Sequence, residues 1–142
     1  MKVRIRHLAD APLPCRQTPG SAGFDLCAAE ETTIPAHGFG SVGTGIAIEL
    51  PEKTEAQVRP RSGLAAKHGI GVLNSPGTID ADYRGEIKVI LFNASDTDYQ
   101  VRRGDRIAQL VFSVLADVEL VESDSLSQTS RGPGGFGHTG RR

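Results

Sequence analysis

The stretch GEIKVILFN at residues 85–93 is the clearest indication of the fold class in this sequence. Ile87, Val89 and Ile90 are β-branched residues, which pack well on the pleated surface of a strand. Comparable short apolar segments recur along the chain, at residues 1–7, 24–28, 32–34, 45–50, 54–59 and 107–115. Because 17 Gly and 8 Pro punctuate these segments, we predict an all-β sandwich or barrel built from short strands.

Two segments need a choice between helix and strand. The run IAQLVFSVL at 107–115 is long enough for a helix, but its valines and isoleucine and the preceding Arg-Gly-Asp turn favour a strand. The segment SGLAAKH at 62–68 predicts the one helix of the chain, about two turns long.

Composition limits the class of protein. A chain of 142 residues has the length of one domain. The 16 Lys plus Arg nearly balance the 17 Asp plus Glu, which argues against a nucleic-acid groove built on bulk charge. No window approaches the ~20 apolar residues of a membrane span, and residues 1–14 lack the apolar core of a signal peptide. Cys15 and Cys27 fit two thiols in a reducing compartment better than a disulfide or a metal site, so we expect a cytoplasmic protein.

The composition changes after Val121. Residues 122–142 are polar and rich in Ser and Gly, with too few apolar residues to fold alone. We therefore predict a β-barrel domain at 1–121, followed by a flexible Gly-rich arm at 122–142.

The start of the predicted helix, at Arg61, Ser62 and Gly63, has the composition of a phosphate-binding site. A helix N-terminus presents free N–H groups and a partial positive charge, and Arg61 adds a bidentate donor. The alternative is that Ser62 simply caps the helix and Arg61 is solvated.

The segment NSPGTIDADYRGE at 74–86 combines polar side chains with turn residues. Asp80 has the properties of a general base, although a lone carboxylate in a turn more often satisfies nearby N–H groups. Asn74 can both donate to and accept from the edge of a base. Tyr83 offers a flat face to a sugar, and Gly77 permits a close backbone approach.

The C-terminal stretch RGPGGFGHTG at 131–140 is the third segment of interest. Successive glycines let backbone N–H groups converge on an anion. Arg131, Phe136 and Thr139 add a charge, an aromatic face and a hydroxyl, which a plain linker does not need. The sequence has no GxxxxGK[ST] motif and no GxGxxG motif, so the common nucleotide-binding loops are excluded.

Taken in order, five segments resemble the motifs of the trimeric deoxyuridine triphosphate nucleotidohydrolases (dUTPases). They are AGFDLCA at 22–28, PRSGLAAKHGI at 60–70, GTIDADYRGE at 77–86, RGDRIAQLVF at 103–112 and RGPGGFGHTG at 131–140. The resemblance implies an antiparallel jelly-roll-like barrel of the β-clip type, with one short helix and a C-terminal arm. It also implies a homotrimer in which each active site takes the phosphate-binding helix start, the uracil pocket and the closing arm from three different chains.

The resemblance also implies roles for individual residues. Asp80 is the general base that deprotonates the attacking water, and Tyr83 packs on the deoxyribose and rejects a 2′-hydroxyl. Asn74 reads the uracil edge together with the backbone of Gly77, Thr78 and Ile79, and Lys88 lies close to the pocket. The phosphate contacts on the domain itself are Arg61, Ser62, Gly63 and Gln109.

On the arm, the resemblance implies that Phe136 stacks on uracil. The terminal phosphates are held by Arg131, Gly137, His138 and Thr139. His138 stands where many members of the family have Ser, which puts a detail of this contact in question.

The implied reaction is attack of water on the α-phosphorus of dUTP, which releases dUMP and pyrophosphate. This reaction limits uracil incorporation into DNA and supplies dUMP for dTMP synthesis. The implied cofactor is Mg²⁺, held mainly by the substrate phosphates, with Asp25 near it through water. Two alternatives are a deaminase relative with the same fold and a module that senses dUTP without cleaving it.

Overall fold

The computed structural model describes residues 1–136, which form eleven strands and one helix. In chain order the elements are β1 (Arg4–His7), β2 (Phe24–Cys27), β3 (Thr32–Ile34), β4 (Phe39–Gly43), β5 (Ile46–Glu49), β6 (Thr54–Arg59), α1 (Ser62–His68), β7 (Ile70–Val72), β8 (Gly77–Ile79), β9 (Lys88–Asn93), β10 (Tyr99–Val101) and β11 (Arg106–Val114). The predicted all-β architecture with one short helix is confirmed.

Two larger sheets carry the architecture. One has the strand order β2-β11-β6-β8 and the other β4-β9-β7, and two-stranded pairs β1-β5 and β10-β3 flank them. Every pair formed by these strands is antiparallel. Buried residues from both larger sheets join in a single apolar core, which includes Leu26, Val58, Leu91 and Leu110.

Strand β9 shows why the chain folds in this way. Val89, Leu91 and Asn93 are buried whereas the residues between them are more exposed, which is the period-two alternation of a strand. The buried Asn93 is fully hydrogen-bonded: its amide donates to the carbonyl oxygens of Ile34 and Thr97 at 3.1 and 2.8 Å, and its oxygen accepts from the Ser95 N–H and hydroxyl. A buried amide is stable when its groups are satisfied in this manner.

Some predicted boundaries match the structure and others do not. The bounds of β3, β6 and α1 are as predicted. The first strand begins at Arg4, not at residue 1, and β9 begins at Lys88, not at residue 85, because the chain bends at Gly85 and residues 85–87 lie outside the strand. Four short strands, β4, β7, β8 and β10, were not predicted.

The helix α1 ends at a glycine in the left-handed conformation. Gly69 has φ 66°, and its N–H bonds back to the carbonyl oxygens of Leu64 and Ala65, as is common at helix C-termini. Leu64 packs against the core and supplies the tertiary support that a two-turn helix needs. No helix in the part of the chain that the structure describes could cross a membrane.

Candidate active site

A cavity of about 370 Å³ opens at the junction of β8 with strands β4 and β9. Seven of the predicted site residues line it: Asn74, Gly77, Thr78, Ile79, Asp80, Tyr83 and Lys88. Four further residues line it that were not predicted as site residues: Ser41, Val58, Glu86 and Ile90.

The residues that sequence reasoning missed are mostly cross-strand neighbours. Ser41 on β4 is paired with Ile90 on β9, and Val58 on β6 is paired with Gly77 on β8. Finding them requires the register of strands that are far apart in sequence. Glu86 was the exception, because it ends the motif GTIDADYRGE and carries a charge.

Asp80 lies immediately after β8, at the rim of the cavity. Its backbone carbonyl accepts a hydrogen bond from the Tyr83 N–H at 3.2 Å, which closes the turn. Within residues 1–136, no hydrogen bond or ion pair engages its carboxylate, and the residue is exposed. The turn is therefore held by the backbone, and the carboxylate remains available for a ligand.

Tyr83 is the last residue of the same turn. Its hydroxyl donates to the Glu86 carbonyl oxygen at 2.9 Å. The Glu86 carboxylate makes separate contacts: its Oε1 accepts from the Gly45 N–H at 2.9 Å, and its Oε2 is 3.9 Å from the Lys88 ammonium. These contacts join the cavity wall to the turn between β4 and β5.

Asn74 faces β8 from the preceding turn, which contains a cis peptide bond between Ser75 and Pro76. A Cβ atom at Gly77 would lie 3.1 Å from the Asn74 amide nitrogen, so the glycine makes room for that amide. Strand β8 pairs with β6 and is at the edge of its sheet. An edge strand has backbone N–H and C=O groups that no neighbouring strand uses.

A second polar cluster lies where β2, β11 and the start of α1 meet. The Asp25 carboxylate is 3.0 Å from Arg106 Nη1 and 3.4 Å from Arg61 Nε, and its side chain is 13 % exposed. Arg61 Nη1 also donates to the Arg106 carbonyl oxygen at 2.7 Å. Arg61 is thus held by ion pairing, and the alternative that it is simply solvated is wrong.

The start of α1 also contradicts the alternative in which Ser62 serves only as the helix cap. Arg61 is the N-cap residue, Ser62 is the first residue of the helix, and no side chain caps the N-terminus. The hypothesis that Ser62 caps the helix is therefore wrong. Ser62 and Gly63 are exposed and free to contact a ligand.

Gln109 on β11 is directed into the same region. It is paired in register with Asp25 on β2 and Arg59 on β6, and its Nε2 donates to the Pro60 carbonyl oxygen at 2.9 Å. A Cβ atom at Gly23 would lie 3.0 Å from Gln109 Cδ and 3.1 Å from its Cβ. Gly23 therefore provides the space that the Gln109 side chain occupies.

The electrostatics near this cluster are reflected in Cys27. Burial raises the pKa of the Cys27 thiol, and the neighbouring Cys15 and Asp25 raise it further, whereas Arg106 and Arg61 oppose the change. Both cysteines are free thiols in the structure.

The described residues do not form a metal cage. Between residues 1 and 136 no three His, Cys, Asp or Glu side chains are grouped to hold a metal ion. Asp25 is a single carboxylate with two guanidinium partners. This donor set does not fit a metal bound by protein alone, but it fits an Mg²⁺ ion that keeps its waters and takes most of its ligands from phosphates.

Two predicted residues of the arm lie within the described range. Arg131 Nε donates to the Gly134 carbonyl oxygen at 2.8 Å, inside a local turn, and Phe136 is fully exposed. Gly137, His138 and Thr139 lie outside the described residues. Neither Arg131 nor Phe136 lines the cavity, and the same holds for Asp25, Arg61, Ser62, Gly63 and Gln109.

Comparison with known proteins gives the family. A sequence-family model described as dUTPase matches residues 9–140. The chain is 55 % identical over 142 residues to the deoxyuridine 5′-triphosphate nucleotidohydrolase of Wolinella succinogenes, covering 99 % of this chain and 95 % of the relative. It is 54 % identical over 145 residues to the enzyme of the same name from Anaplasma marginale, covering 99 % of both chains.

Solved structures show the same fold. A variant of the Staphylococcus bacteriophage 80alpha dUTPase with dUpNHpp has a TM-score of 0.91 at 24 % identity, with 98 % of each chain covered. A variant of the dUTPase from phage phi11 of S. aureus, described with a structural Mg(II) ion, has a TM-score of 0.81 at 24 % identity, covering 88 % of this chain and 98 % of that one. The predicted jelly-roll-like architecture is confirmed. From the family match and the identity to its relatives along nearly the whole sequence, we conclude that this chain belongs to the dUTPase family.

Proposed function

We propose that this chain hydrolyses dUTP to dUMP and pyrophosphate by attack of water on the α-phosphorus, with Asp80 as the general base. Membership of the dUTPase family supports the substrate and the reaction. The observation that carries the assignment of the base is the Asp80 carboxylate, which lines the cavity and is not engaged by any other described residue. A carboxylate in this position can take a proton from a water molecule as the water attacks.

Uracil recognition is assigned to Asn74 and to the backbone of Gly77, Thr78 and Ile79. The position of β8 at the edge of its sheet supports this assignment, because its outer N–H and C=O groups match the alternating acceptors and donors of the uracil edge. A cytosine would leave buried groups unpaired, at ~1–3 kcal/mol each. Tyr83 is assigned to the deoxyribose, and Lys88 to the rim of the pocket.

Phosphate binding is assigned to Arg61, Ser62, Gly63 and Gln109. In a single chain these residues belong to the second polar cluster and do not line the cavity with Asp80. A complete site therefore needs surfaces from more than one chain, which supports the proposed homotrimer with active sites at subunit interfaces. Electrostatic contacts of this kind contribute several kcal/mol to transition-state stabilisation.

Magnesium is the proposed cofactor. It would be held mainly by the substrate phosphates, with Asp25 reaching it through water. When bound, the ion orients the triphosphate and neutralises charge on the leaving pyrophosphate.

The arm at 122–142 is proposed to close over an active site, with Phe136 on the uracil. Its phosphate contacts are assigned to Arg131, Gly137, His138 and Thr139. Strand β11 ends at Val114, and the apolar side chains of Leu120, Leu126 and Phe136 are exposed, which fits a segment that acquires its contacts from other chains and from substrate. Two free thiols fit the cytoplasm as the proposed location.

The test is to compare Asp80→Asn with Asp82→Asn, a matched change at a neighbouring exposed carboxylate that does not line the cavity. We expect Asp80→Asn to bind dUTP normally and to lose about 10²–10⁴-fold in kcat, whereas Asp82→Asn remains close to wild type. Pyrophosphate release from dUTP, dCTP and dTTP and ammonia release from dCTP are measured in parallel. Normal turnover by Asp80→Asn refutes the assigned base, and ammonia from dCTP indicates a deaminase.

A further inference from the structure

The Tyr83 ring is held against the backbone of its own turn. The turn is closed by the Tyr83 N–H, which donates to the Asp80 carbonyl oxygen at 3.2 Å, and the hydroxyl donates to the Glu86 carbonyl oxygen at 2.9 Å. The ring must therefore pass over Gly85 to reach Glu86. It also lines the cavity and remains 43 % exposed, so a ligand can contact its other face.

A glycine is needed at residue 85 because a side chain there would collide with the Tyr83 ring, and not because of the backbone conformation. Its φ is outside the left-handed region, so other residues can adopt its backbone conformation. A Cβ atom at this position would lie 2.6 Å from Tyr83 Cζ and 2.9 Å from Cε2. Carbon atoms in contact are normally ~3.5–4.0 Å apart, so any side chain at residue 85 must displace the ring by roughly 1 Å.

We propose that Gly85 is a positioning residue that sets the sugar specificity of the site through the Tyr83 ring. The inference rests on the role proposed for Tyr83 above. A ring seated on Gly85 and bonded to the Glu86 carbonyl cannot retreat when a 2′-hydroxyl presses against it. A displaced ring loses its hydrogen bond to the Glu86 carbonyl oxygen. It can then move away from a 2′-hydroxyl, so the site accepts a ribonucleotide.

The test compares Gly85→Ala with Gly20→Ala, a matched change at a glycine whose added Cβ would meet no atom within 4 Å. The measured quantity is the ratio of kcat/KM for dUTP to kcat/KM for UTP. We expect the ratio to fall by about 10-fold in Gly85→Ala, within the range that one small group in a pocket discriminates, and to remain unchanged in Gly20→Ala. An unchanged ratio in Gly85→Ala overturns the proposal.

A second arm asks whether Gly85 acts through the ring. In a Tyr83→Ala protein, adding Gly85→Ala is expected to leave the ratio where Tyr83→Ala alone puts it. A further 10-fold loss in that background overturns the proposal as well.

If Gly85→Ala does not fold, Tyr83→Phe takes its place: it keeps the ring and Gly85 but loses the bond to Glu86, and the ratio is expected to fall about fivefold. An unchanged ratio in that variant overturns the proposal.

A third arm does not depend on catalysis. The chain contains two Tyr and no Trp, so in a Tyr99→Phe protein the tyrosine fluorescence comes from Tyr83 alone. Gly85→Ala is expected to increase its quenching by acrylamide, and equal quenching overturns the proposed seating of the ring. If no variant and no wild-type protein hydrolyses dUTP, the proposed function fails while this measurement still decides the position of the ring. If the ring moves and the ratio does not, the link to specificity is refuted.

Discussion

Replacing Glu86 with alanine removes the acceptor of a backbone hydrogen bond at the edge of the cavity. Glu86 Oε1 accepts from the N–H of the buried Gly45 at 2.9 Å. A hydrogen bond to a charged group contributes ~1.5–3 kcal/mol, and an orphaned buried donor costs a similar amount. Because the Glu86 side chain is 28 % exposed, water replaces part of the lost interaction. We therefore expect the free energy of unfolding to fall by about 2 kcal/mol.

Two further variants separate the causes. Glu86→Gln keeps an oxygen that can accept from Gly45 but loses the charge, so we expect a loss of about 0.5–1 kcal/mol. Glu30 makes the equivalent contact to Gly43, two residues before Gly45: its Oε1 accepts from the Gly43 N–H at 2.7 Å. Unlike Glu86, Glu30 is exposed. Water can take its place, and we expect Glu30→Ala to cost less than about 1 kcal/mol.

The assay is thermal unfolding at one fixed protein concentration, since the proposed association of subunits would make Tm depend on concentration. A loss of about 2 kcal/mol lowers the Tm of a domain of this size by roughly 6 °C. The expected order is that Glu86→Ala unfolds first, well below both Glu86→Gln and Glu30→Ala. If the Tm of Glu86→Ala remains within about 1 °C of wild type, the Gly45 N–H does not depend on this carboxylate and the reasoning fails.

Three further predictions concern the second cluster and the arm. Gly23→Ala places a Cβ in steric conflict with Gln109 Oε1 and 3.0 Å from its Cδ, so the Gln109 side chain must move and we expect kcat for dUTP to fall at least about 10-fold; unchanged steady-state kinetics would show that Gln109 is not needed where it lies. Burial raises the pKa of the Cys27 thiol above its usual value; since the thiolate is the reactive form, alkylation of Cys27 should rise at a higher pH than alkylation of a free cysteine peptide, while a profile that rises at the same pH as the peptide contradicts the burial argument. Truncation before Arg131 should leave the proposed homotrimer and its circular dichroism intact but remove most dUTP turnover, and full activity would show that the arm is only a linker.

Local patterns predicted the fold class and the part of the site that is continuous in sequence. Asn74, Asp80 and Tyr83 lie within ten residues of one another, so strand β8 and the turns on either side of it bring them to one cavity. The helix bounds Ser62–His68 followed from composition alone. What these residues have in common is that their relative positions depend on neighbours in the chain.

The rest depended on pairing between distant segments. Strands β4 and β8 contain glycines and are short, so their propensity for strand is weak and only their partners in the sheet stabilise them. The ion pair of Asp25 with Arg106 joins positions 81 residues apart, and it follows from the register of β2 against β11. The contact of Gly85 with the Tyr83 ring could also not be predicted from the sequence, because a glycine in a turn is usually explained by its backbone conformation.

The position of β8 at the edge of its sheet also bears on aggregation. An exposed strand edge can template pairing with strands of other molecules, and proteins limit this by keeping edge strands short and by placing charges on them. Strand β8 has three residues and is followed at once by Asp80. The Asp80 carboxylate, assigned above to the chemistry, therefore also opposes edge-to-edge pairing of β8 between molecules. Neutralising Asp80 should make the protein more prone to aggregation on storage.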